Sequence, residues 1–522
     1  MTLREENLDR LDGGTFDVLV VGGGINGAVS AAALAGRGVS VAVVDRGDFG
    51  GFTSQESSNL IWGGFKYLEN YEIPLVASLS RSRNRLMKAY PNVITELRFM
   101  ATLDSSAPFS SWLAGLGTIG YWGLGQFATK PPRYLRPKAI AVEEPVVNTT
   151  GAQAAVEYGD AYLKDNDARF VWSFVRSALD HGATAANYVE LARARRHAGH
   201  WQATLRDQAG GREFNVEAKV VVNAAGPFVD ELNQSWDVNT EHRIVYSKGI
   251  HLVVPQMTSS ERVLAFFDDS QRLFYVIPMA HRSVIGTTDT RTTTPDEKVT
   301  ETDRLFLLKQ INDRLNLGRP LTTDDIISER SGVRPLVVLN DGDDRTEIDW
   351  TSLSRKHEIE INPDVDLITI FGGKLTDCLN VGDEVIEGVA KLGIELAHEA
   401  PDWYGEPSAS EQQRFLGEAT ALGLDRQPEV EREPSLAEVL WRRHGAAAFE
   451  LLPLLADDPS LAEPVMAETD LLRVELTLYT EREMIVTMED FLRRRTKLAM
   501  LHCSQDLASA PGLQAAASAL NV

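Results

Sequence analysis

The stretch FDVLVVGGGINGAVSAAALAGRGVSVAVVD, residues 16–45, decides the fold. Phe16–Val21 is an apolar, β-branched run that reads as a buried parallel strand. Gly22, Gly24 and Gly27 follow as G-x-G-x-x-G at the entry to an Ala-rich helix, Ala28–Ala35. In this pattern the first glycine permits the tight turn and the second lets backbone approach a pyrophosphate. The third lets the helix pack close to the strand, and the helix N-terminus faces the negative charge. Val39–Val44 reads as a second strand ending in Asp45, placed to accept hydrogen bonds from a ribose hydroxyl. Together these elements specify a dinucleotide-binding βαβ unit, with NAD and FAD both open at this point.

At 522 residues the chain is too long for one compact core, and two or three domains are expected. A net charge of −23 disfavours nucleic acid as a partner and gives no general attraction to anionic lipid. A site for an anionic substrate must therefore be a local cluster of cations. Cys378 and Cys503 are the only cysteines, which excludes a disulfide framework and a Cys-based metal site. The N-terminus MTLREENLDRLDGG is charged and polar, unlike a signal peptide, so the expected location is cytoplasmic.

Ser105–Thr129 carries no charge, approaches the length of a membrane span, and contains five glycines that make it a poor helix former. Its aromatics Trp112, Tyr121, Trp122 and Phe127 stand next to Lys130, Arg133, Arg136 and Lys138. That combination suits a shallow, peripheral membrane-surface contact; a buried Gly-rich part of a substrate domain is the alternative.

Phe49–Glu69 is a Gly/Ser-dense loop whose backbone continues the wrap around a dinucleotide, with Ser54 and Ser58 as candidate contacts. Residues 75–100 read as helical, 169–181 as an amphipathic helix, and 183–190 and Lys219–Val222 as strands. Strand patterns at 250–255, 272–278 and 282–287, with turn chemistry between them, suggest an antiparallel sheet. Residues 366–371 read as a strand before a helix at 375–393, and an acidic helical region begins near residue 405.

In this order the pieces resemble an FAD-dependent oxidoreductase of the glutathione-reductase-like class, which includes D-amino-acid oxidase. The discriminating stretches are NAAGP (Asn223–Pro227) and FGGKLT (Phe371–Thr376). In that class the late glycine pair lies against the flavin ring and aims the next helix at it, which favours negative charge there. The resemblance therefore implies FAD rather than NAD. A closer resemblance, over nearly the whole chain, is to the FAD-dependent glycerol-3-phosphate dehydrogenases. It is carried by VVGGGINGA, GGFKYLE, NAAGPFV, KGIHLVVP (Lys248–Pro255), VIGTTD (Val284–Asp289), SGVRPL (Ser331–Leu336), FGGKLT and RRRTKLAM (Arg493–Met500).

The resemblance implies an α/β flavoprotein: a Rossmann-type FAD domain, an antiparallel-sheet substrate domain and a C-terminal helical domain. The expected division is 1–100 and 151–235 as first and second parts of the FAD domain, with 331–400 closing it. Residues 101–150 form a substrate or membrane-contact segment, 236–330 the substrate domain and 401–522 the helical domain. The implied reaction is oxidation of the secondary alcohol of glycerol 3-phosphate, or a close polyol phosphate, to the ketone (dihydroxyacetone phosphate). Hydride goes to flavin, and quinone or oxygen takes the electrons at the inner membrane face. Implied FAD contacts are Gly22, Gly24, Gly27, Asp45, Gly63, Gly64, Ala225, Gly226, Gly372, Gly373, Lys374, Leu375 and Thr376. Arg334 and Lys374 fall where the family places cations around substrate phosphate and flavin, and Arg355 matches a further arginine. His251 and Tyr67 match polar pocket residues. His251 is the first choice of base and Lys374 the competing one.

Where the family reads His-Gly-Gly-Leu-Arg-Tyr, this chain reads WGGFKY. Trp62 removes a titratable donor and fills volume, and Lys66 replaces a guanidinium fork with a point charge. Another sugar-alcohol phosphate, an unphosphorylated alcohol or amine, or an impaired FAD-binding protein are the alternatives. Cys378 reads as a small buried hydrophobe. Arg493–Arg495 read as a solvated face or partners for the acidic surface. The pattern specifies no metal and leaves oligomeric state open, a homo-oligomer included.

Overall fold

The computed structural model describes residues 2–68, 71–105, 107–268, 271–340, 356–399, 403–428 and 435–522. Its strands, in chain order, include β1 (Thr15–Val21), β2 (Val41–Val44), β3 (Ile94–Leu103), β4 (Ala154–Leu163), β5 (Thr184–Ala186) and β6 (Glu213–Asn223). They continue as β7 (His242–Pro255), β8 (Val263–Phe267), β9 (Leu273–Met279), β10 (Arg282–Gly286), β11 (Ser328–Leu339), β12 (Glu358–Asn362) and β13 (Leu367–Phe371). The helices that matter for the site are α1 (Ile25–Gly36), α2 (Ile73–Ala89), α3 (Ser111–Leu124), α4 (Asp167–Asp180) and α5 (Cys378–Lys391).

The first sheet carries the run β12-β13-β6-β1-β2-β5, parallel except at its β12 edge, and an antiparallel hairpin of Val189–His197 and His200–Asp207 joins it along Glu213–Ala218 of β6. Val18, Val20, Val43 and Val222 are buried because α1, α4 and α5 cover one face of these strands. In register, Val21 stands opposite Asn223 and Asn223 opposite Thr369. The turns after β1, β6 and β13 therefore emerge at one carboxyl edge, although they lie hundreds of residues apart in sequence. Ligands of open parallel sheets bind outside that edge.

The second sheet is mostly antiparallel, with its longest strand, β7, near one end of the strand order. β7 pairs with β10 and, from His242↔Leu339 to Val253↔Ser328, with β11. The long pairing brings Ser247 opposite Arg334 and His251 opposite Arg330. The sheets divide the chain more finely than the expected boundaries. β3 and β4, from the segments 1–100 and 151–235, both belong to the second sheet, as does β11, which opens the segment 331–400. From Ala409 onward the named elements are helices around Phe415, Leu440, Trp441 and Leu451.

Two expectations change. Residues 75–100 are helical only to Ala89; Ile94–Leu103 is a strand, because Phe99–Leu103 is buried on both faces of the sheet and leaves no polar helical face. The Gly-rich segment folds as α3 despite its propensity. Its inner residues Ala114, Thr118 and Tyr121 are buried, and that packing outweighs the glycine cost of about 1 kcal/mol each. Among the described residues no helix is long and apolar enough to cross a membrane.

The tightest point of the first sheet is Gly27, where an added Cβ would fall inside the Gly22 carbonyl and approach the Ala224 side chain. Gly27→Ala is expected to cost about 1–3 kcal/mol or more by forcing α1 away from β1. Thermal unfolding of the purified variant checks this, and its melting temperature should fall.

Candidate active site

The carboxyl edge of the first sheet opens into a cleft of about 1060 Å³, continuous with solvent. Gly22, Gly24, Asp45, Ser54, Ala225, Gly226, Gly372 and Gly373 line it together. Gly22 holds φ +103°, and a Cβ there would lie 2.5 Å from the Ala224 carbonyl oxygen. Gly373, at φ +113°, would press a Cβ to 3.0 Å from Asn26 Oδ1. Backbone is thus brought to the cleft surface at positions where side chains would fill it. Helix α1 aims its N-terminus at this space, and Ser54 Oγ accepts from the Ile25 amide at 3.0 Å.

Asn26 ties the early and late glycine turns together, donating from Nδ2 to the Gly372 carbonyl at 2.8 Å. Its Oδ1 is buried without a hydrogen-bond partner among the described residues. A glycine cradle at a helix N-terminus fits a dinucleotide pyrophosphate, whereas the Asn26 Oδ1 acceptor calls for a donor rather than a phosphate oxygen. Asn26 occupies a variable position of the fingerprint, so no motif announced it.

Asp45 accepts from the Gly23 amide at 2.6 Å and the Gly47 amide at 2.8 Å. Burial pushes its carboxyl up to about 6, with the Gly47 and Gly23 amides opposing that rise. Beside it Arg46 lies 3.8 Å over the Phe228 ring and 5.0 Å over Phe52, an aromatic edge that fits the adenosine end of the cleft. Ser58, Gly63, Gly64, Lys66, Leu375 and Thr376 do not form this wall.

A second group lies beyond Gly373. Lys374 Nζ donates to Tyr67 Oη at 2.9 Å and sits 4.4 Å over the Tyr67 ring. Trp62 packs against Tyr67 with ring centroids 5.8 Å apart, and its carbonyl accepts from Thr376 Oγ1 at 3.3 Å. The loop Trp62–Tyr67 is fixed by a buried anchor. Asp160 accepts from the Gly63 amide at 3.0 Å, Arg83 Nη1 at 2.9 Å and Tyr121 Oη at 2.8 Å. The Gly63 amide is thereby engaged in holding the loop. Behind Lys374, Asp377 pairs with His357 at 2.9 Å; burial opposes charge on that imidazole, but Asp377 and Glu384 outweigh it and raise it to about 9.

The third group is His251 and Arg334, on neighbouring strands β7 and β11. Arg334 donates to Thr287 Oγ1 at 2.9 Å and lies 3.6 Å from Asp289; Gly249 leaves room for its guanidinium. Neither ring nitrogen of His251 has a hydrogen-bond partner among the described residues. Burial, helped by Arg330 and Arg334, holds the imidazole well below its ordinary range and therefore neutral. Arg334 adjoins Pro335, and Lys374 adjoins Gly373, both of which line the cleft. Arg355 and the loop's Glu69 lie outside the described residues.

Arg493–Arg495 are not a solvated face. Arg494 and Arg495 are 4% and 0% exposed, because Asp48, Asp490 and Glu483 receive them in the interior. Cys378 is fully buried at the start of α5. Among the described residues no His/Cys/Asp/Glu group is arranged to hold a metal ion.

Residues 17–353 match the FAD-dependent oxidoreductase family, and residues 408–520 match the C-terminal domain of alpha-glycerophosphate oxidase. The aerobic glycerol-3-phosphate dehydrogenase of Escherichia coli (strain K12) is 30% identical over 499 residues, covering 93% of this chain and 94% of that protein. The aerobic glycerol-3-phosphate dehydrogenase of Bacillus subtilis (strain 168) is 31% identical over 392 residues, covering 74% and 68%. The FAD complex of glycerol-3-phosphate dehydrogenase from Bacillus halodurans shares the fold, with TM-score 0.77 at 22% identity over 100% of this chain and 94% of that one.

A ribose-binding role for Asp45 predicts a pH limit on cofactor binding. With the ionised form as the ribose acceptor, FAD affinity should be flat from pH 8 to 7 and fall as pH drops through about 6. Asp45→Asn should weaken binding about 10-fold at pH 7.5 and flatten the profile. Flavin-fluorescence titration against pH reads both.

Proposed function

Because the chain belongs to the family of FAD-dependent glycerol-3-phosphate dehydrogenases, we propose that it oxidises the secondary alcohol of glycerol 3-phosphate to the ketone of dihydroxyacetone phosphate. The observation that carries this reading is a glycine-lined cleft whose wall includes Pro335 and Gly373, next in the chain to the cations Arg334 and Lys374, with His251 on the strand paired to that of Arg334. FAD, when bound, supplies the two-electron acceptor for the carbinol hydride.

The chain's residues hold, charge-match and deprotonate. The Gly22–Gly27 turn, Asp45, Ala225–Gly226 and Gly372–Gly373 hold the dinucleotide. Arg334 presents a guanidinium fork suited to a phosphate, and Thr287 and Asp289 orient it. Lys374 is engaged as a donor to Tyr67, which suits a role as a fixed cation for the phosphate rather than as a base. His251 is the proposed acceptor of the hydroxyl proton, since neither ring nitrogen has a hydrogen-bond partner among the described residues; burial with Arg330 and Arg334 keeps the imidazole neutral but also weakens it as a base. Trp62 and Tyr67 close the pocket with aromatic surface and limit water.

The Trp62–Tyr67 pair, its rings tilted at 45°, also favours a second reading, in which the carbon skeleton is that of another polyol phosphate. Anaerobic flavin bleaching with a panel of polyol phosphates separates the two. Glycerol 3-phosphate should bleach fastest, and Arg334→Gln should lower kcat/KM about 10- to 100-fold, mostly through KM. Bleaching by another polyol phosphate with none by glycerol 3-phosphate would transfer the assignment to the second reading.

Helix α3 supports a peripheral lipid contact for electron transfer to quinone. Trp112, Leu116 and Ile119 are 65%, 56% and 56% exposed on its outer side, and Leu113 is also exposed. Lys130, Arg136 and Lys138 are exposed nearby, a local positive cluster on an acidic chain. Fourteen residues of helix are too short to span the roughly 20-residue apolar core, so the helix would lie on the surface. Anionic vesicles should co-sediment with the protein, and Trp112→Ser with Leu116→Ser should abolish this while leaving solution activity intact. Equal sedimentation of the double variant would remove α3 from the contact.

A further inference from the structure

Three consecutive arginines of the C-terminal helical region, Arg493–Arg495, reach out of their own core to the FAD cleft. They lie in one π-helical turn, Asp490–Arg495. Arg494 Nε donates to Asp48 Oδ2 at 2.9 Å, while Arg495 Nη1 and Nη2 grip both Asp48 oxygens at 2.7 and 2.9 Å. Arg493 donates to the Gln55 carbonyl and lies 3.3 Å from Glu56. Arg494 Nη1 also donates to Gln55 Oε1 at 3.3 Å.

Asp48 and Gln55 bracket residues 51–54, which form part of the cleft wall. Both ends of that wall are therefore pinned from behind by a single turn. The wall itself belongs to no strand; a short 3-10 turn over Thr53–Glu56 and single bonds such as Gly50 N to the Gly23 carbonyl hold it. Its inner side meets the fingerprint directly through the Ser54–Ile25 bond. The pinning charges are desolvated, with the side chains of Asp48 and Arg495 each 0% exposed. Asp490 and Glu483 complete the charge balance at Arg494 and Arg495. Removing one partner would leave a buried charge uncompensated, so the geometry is held strongly and is little screened by salt.

We infer that the C-terminal region is a latch on the cofactor cleft, in which Arg493, Arg494 and Arg495 are positioning residues that fix wall 51–54 and so set how tightly FAD is retained. The latch rests on the reading of the cleft as the FAD site. A mere interdomain staple would stabilise the apo and FAD-bound chains equally. A latch adds stability that appears only with FAD bound, because a ligand stabilises in proportion to its affinity for the folded state.

The experiment uses the full-length protein without substrate, so its outcome is separate from that of the substrate assignment. FAD Kd and dissociation rate are read by flavin fluorescence, and thermal unfolding is measured with and without FAD, for Arg493→Gln, Arg493→Lys and Arg494→Gln. Arg482→Gln, which breaks an exposed pair with Glu450 in the same region, is the control. Arg493→Gln is expected to weaken FAD binding about 10-fold. Its melting temperature should fall more with FAD than without, Arg493→Lys should recover part of the affinity, and Arg482→Gln should match the parent. Arg494→Gln should release FAD faster still; if it fails to fold, the Arg493 pair decides. An Arg493→Gln protein that keeps parental FAD affinity, with equal loss of stability in both forms, overturns the latch.

Discussion

The close seating of α1 on β1 at Gly27 is the constraint on which the rest of the molecule depends. No side chain separates that residue from the Gly22 carbonyl, so the helix axis runs straight at the cleft. Its dipole and first amides then face the place where a pyrophosphate would lie. The same contact fixes Asn26, and through Asn26 the Gly372 carbonyl at the end of β13. One backbone approach thus aligns the adenosine end of the cleft with the turn that presents Lys374. The parallel register of β1, β6 and β13 keeps those turns level.

The distribution of charge follows a second constraint. The chain is acidic overall, yet several of its cations lie inside or half-inside the fold: Arg83, Arg330, Arg334, Lys374, Arg494 and Arg495. Each is oriented by neighbours: a buried carboxylate for Arg83, Arg330, Arg494 and Arg495, Asp289 and Thr287 for Arg334, and Tyr67 for Lys374. Removing charge from water is costly, so each buried guanidinium has several partners, and this pre-orients it. In the proposed function, an anionic substrate would meet the fixed charge of Arg334 and Lys374 without rearrangement of the protein. Arg330, opposite His251 in the β7–β11 ladder, also helps keep that imidazole neutral.

The Trp62–Tyr67 loop shows how packing outside the cofactor domain shapes the pocket. Its Gly63 amide hangs on Asp160, which also receives Arg83 from α2 and Tyr121 from α3. Phe65 stacks on Tyr158 at 4.7 Å and meets Tyr121 edge-on at 5.4 Å. The helix that turns apolar residues to solvent on one side therefore buttresses the substrate loop with the other. Its glycines are tolerated because this inner side, rather than intrinsic propensity, holds the helix.

Local pattern alone determined the βαβ fingerprint, the late glycine pair, the antiparallel strands of the second sheet and the helical C-terminal region. Each rests on short-range spacing: period-two apolar runs, glycines at a turn, acidic amphipathic helices. Local pattern placed Gly22, Gly24 and Asp45 on a dinucleotide, the family resemblance added Ala225, Gly226, Gly372 and Gly373, and the fold brings all of them to one cleft. What only tertiary structure decided were contacts between distant segments. Asn26 with Gly372, Asp160 with Gly63, and Asp48 with Arg494 and Arg495 join residues that no spacing relates. The arginine run shows the physical reason. In sequence it is indistinguishable from a solvated basic patch, since burial of a charge depends on carboxylates delivered from other parts of the chain. Only the folded chain puts them within reach.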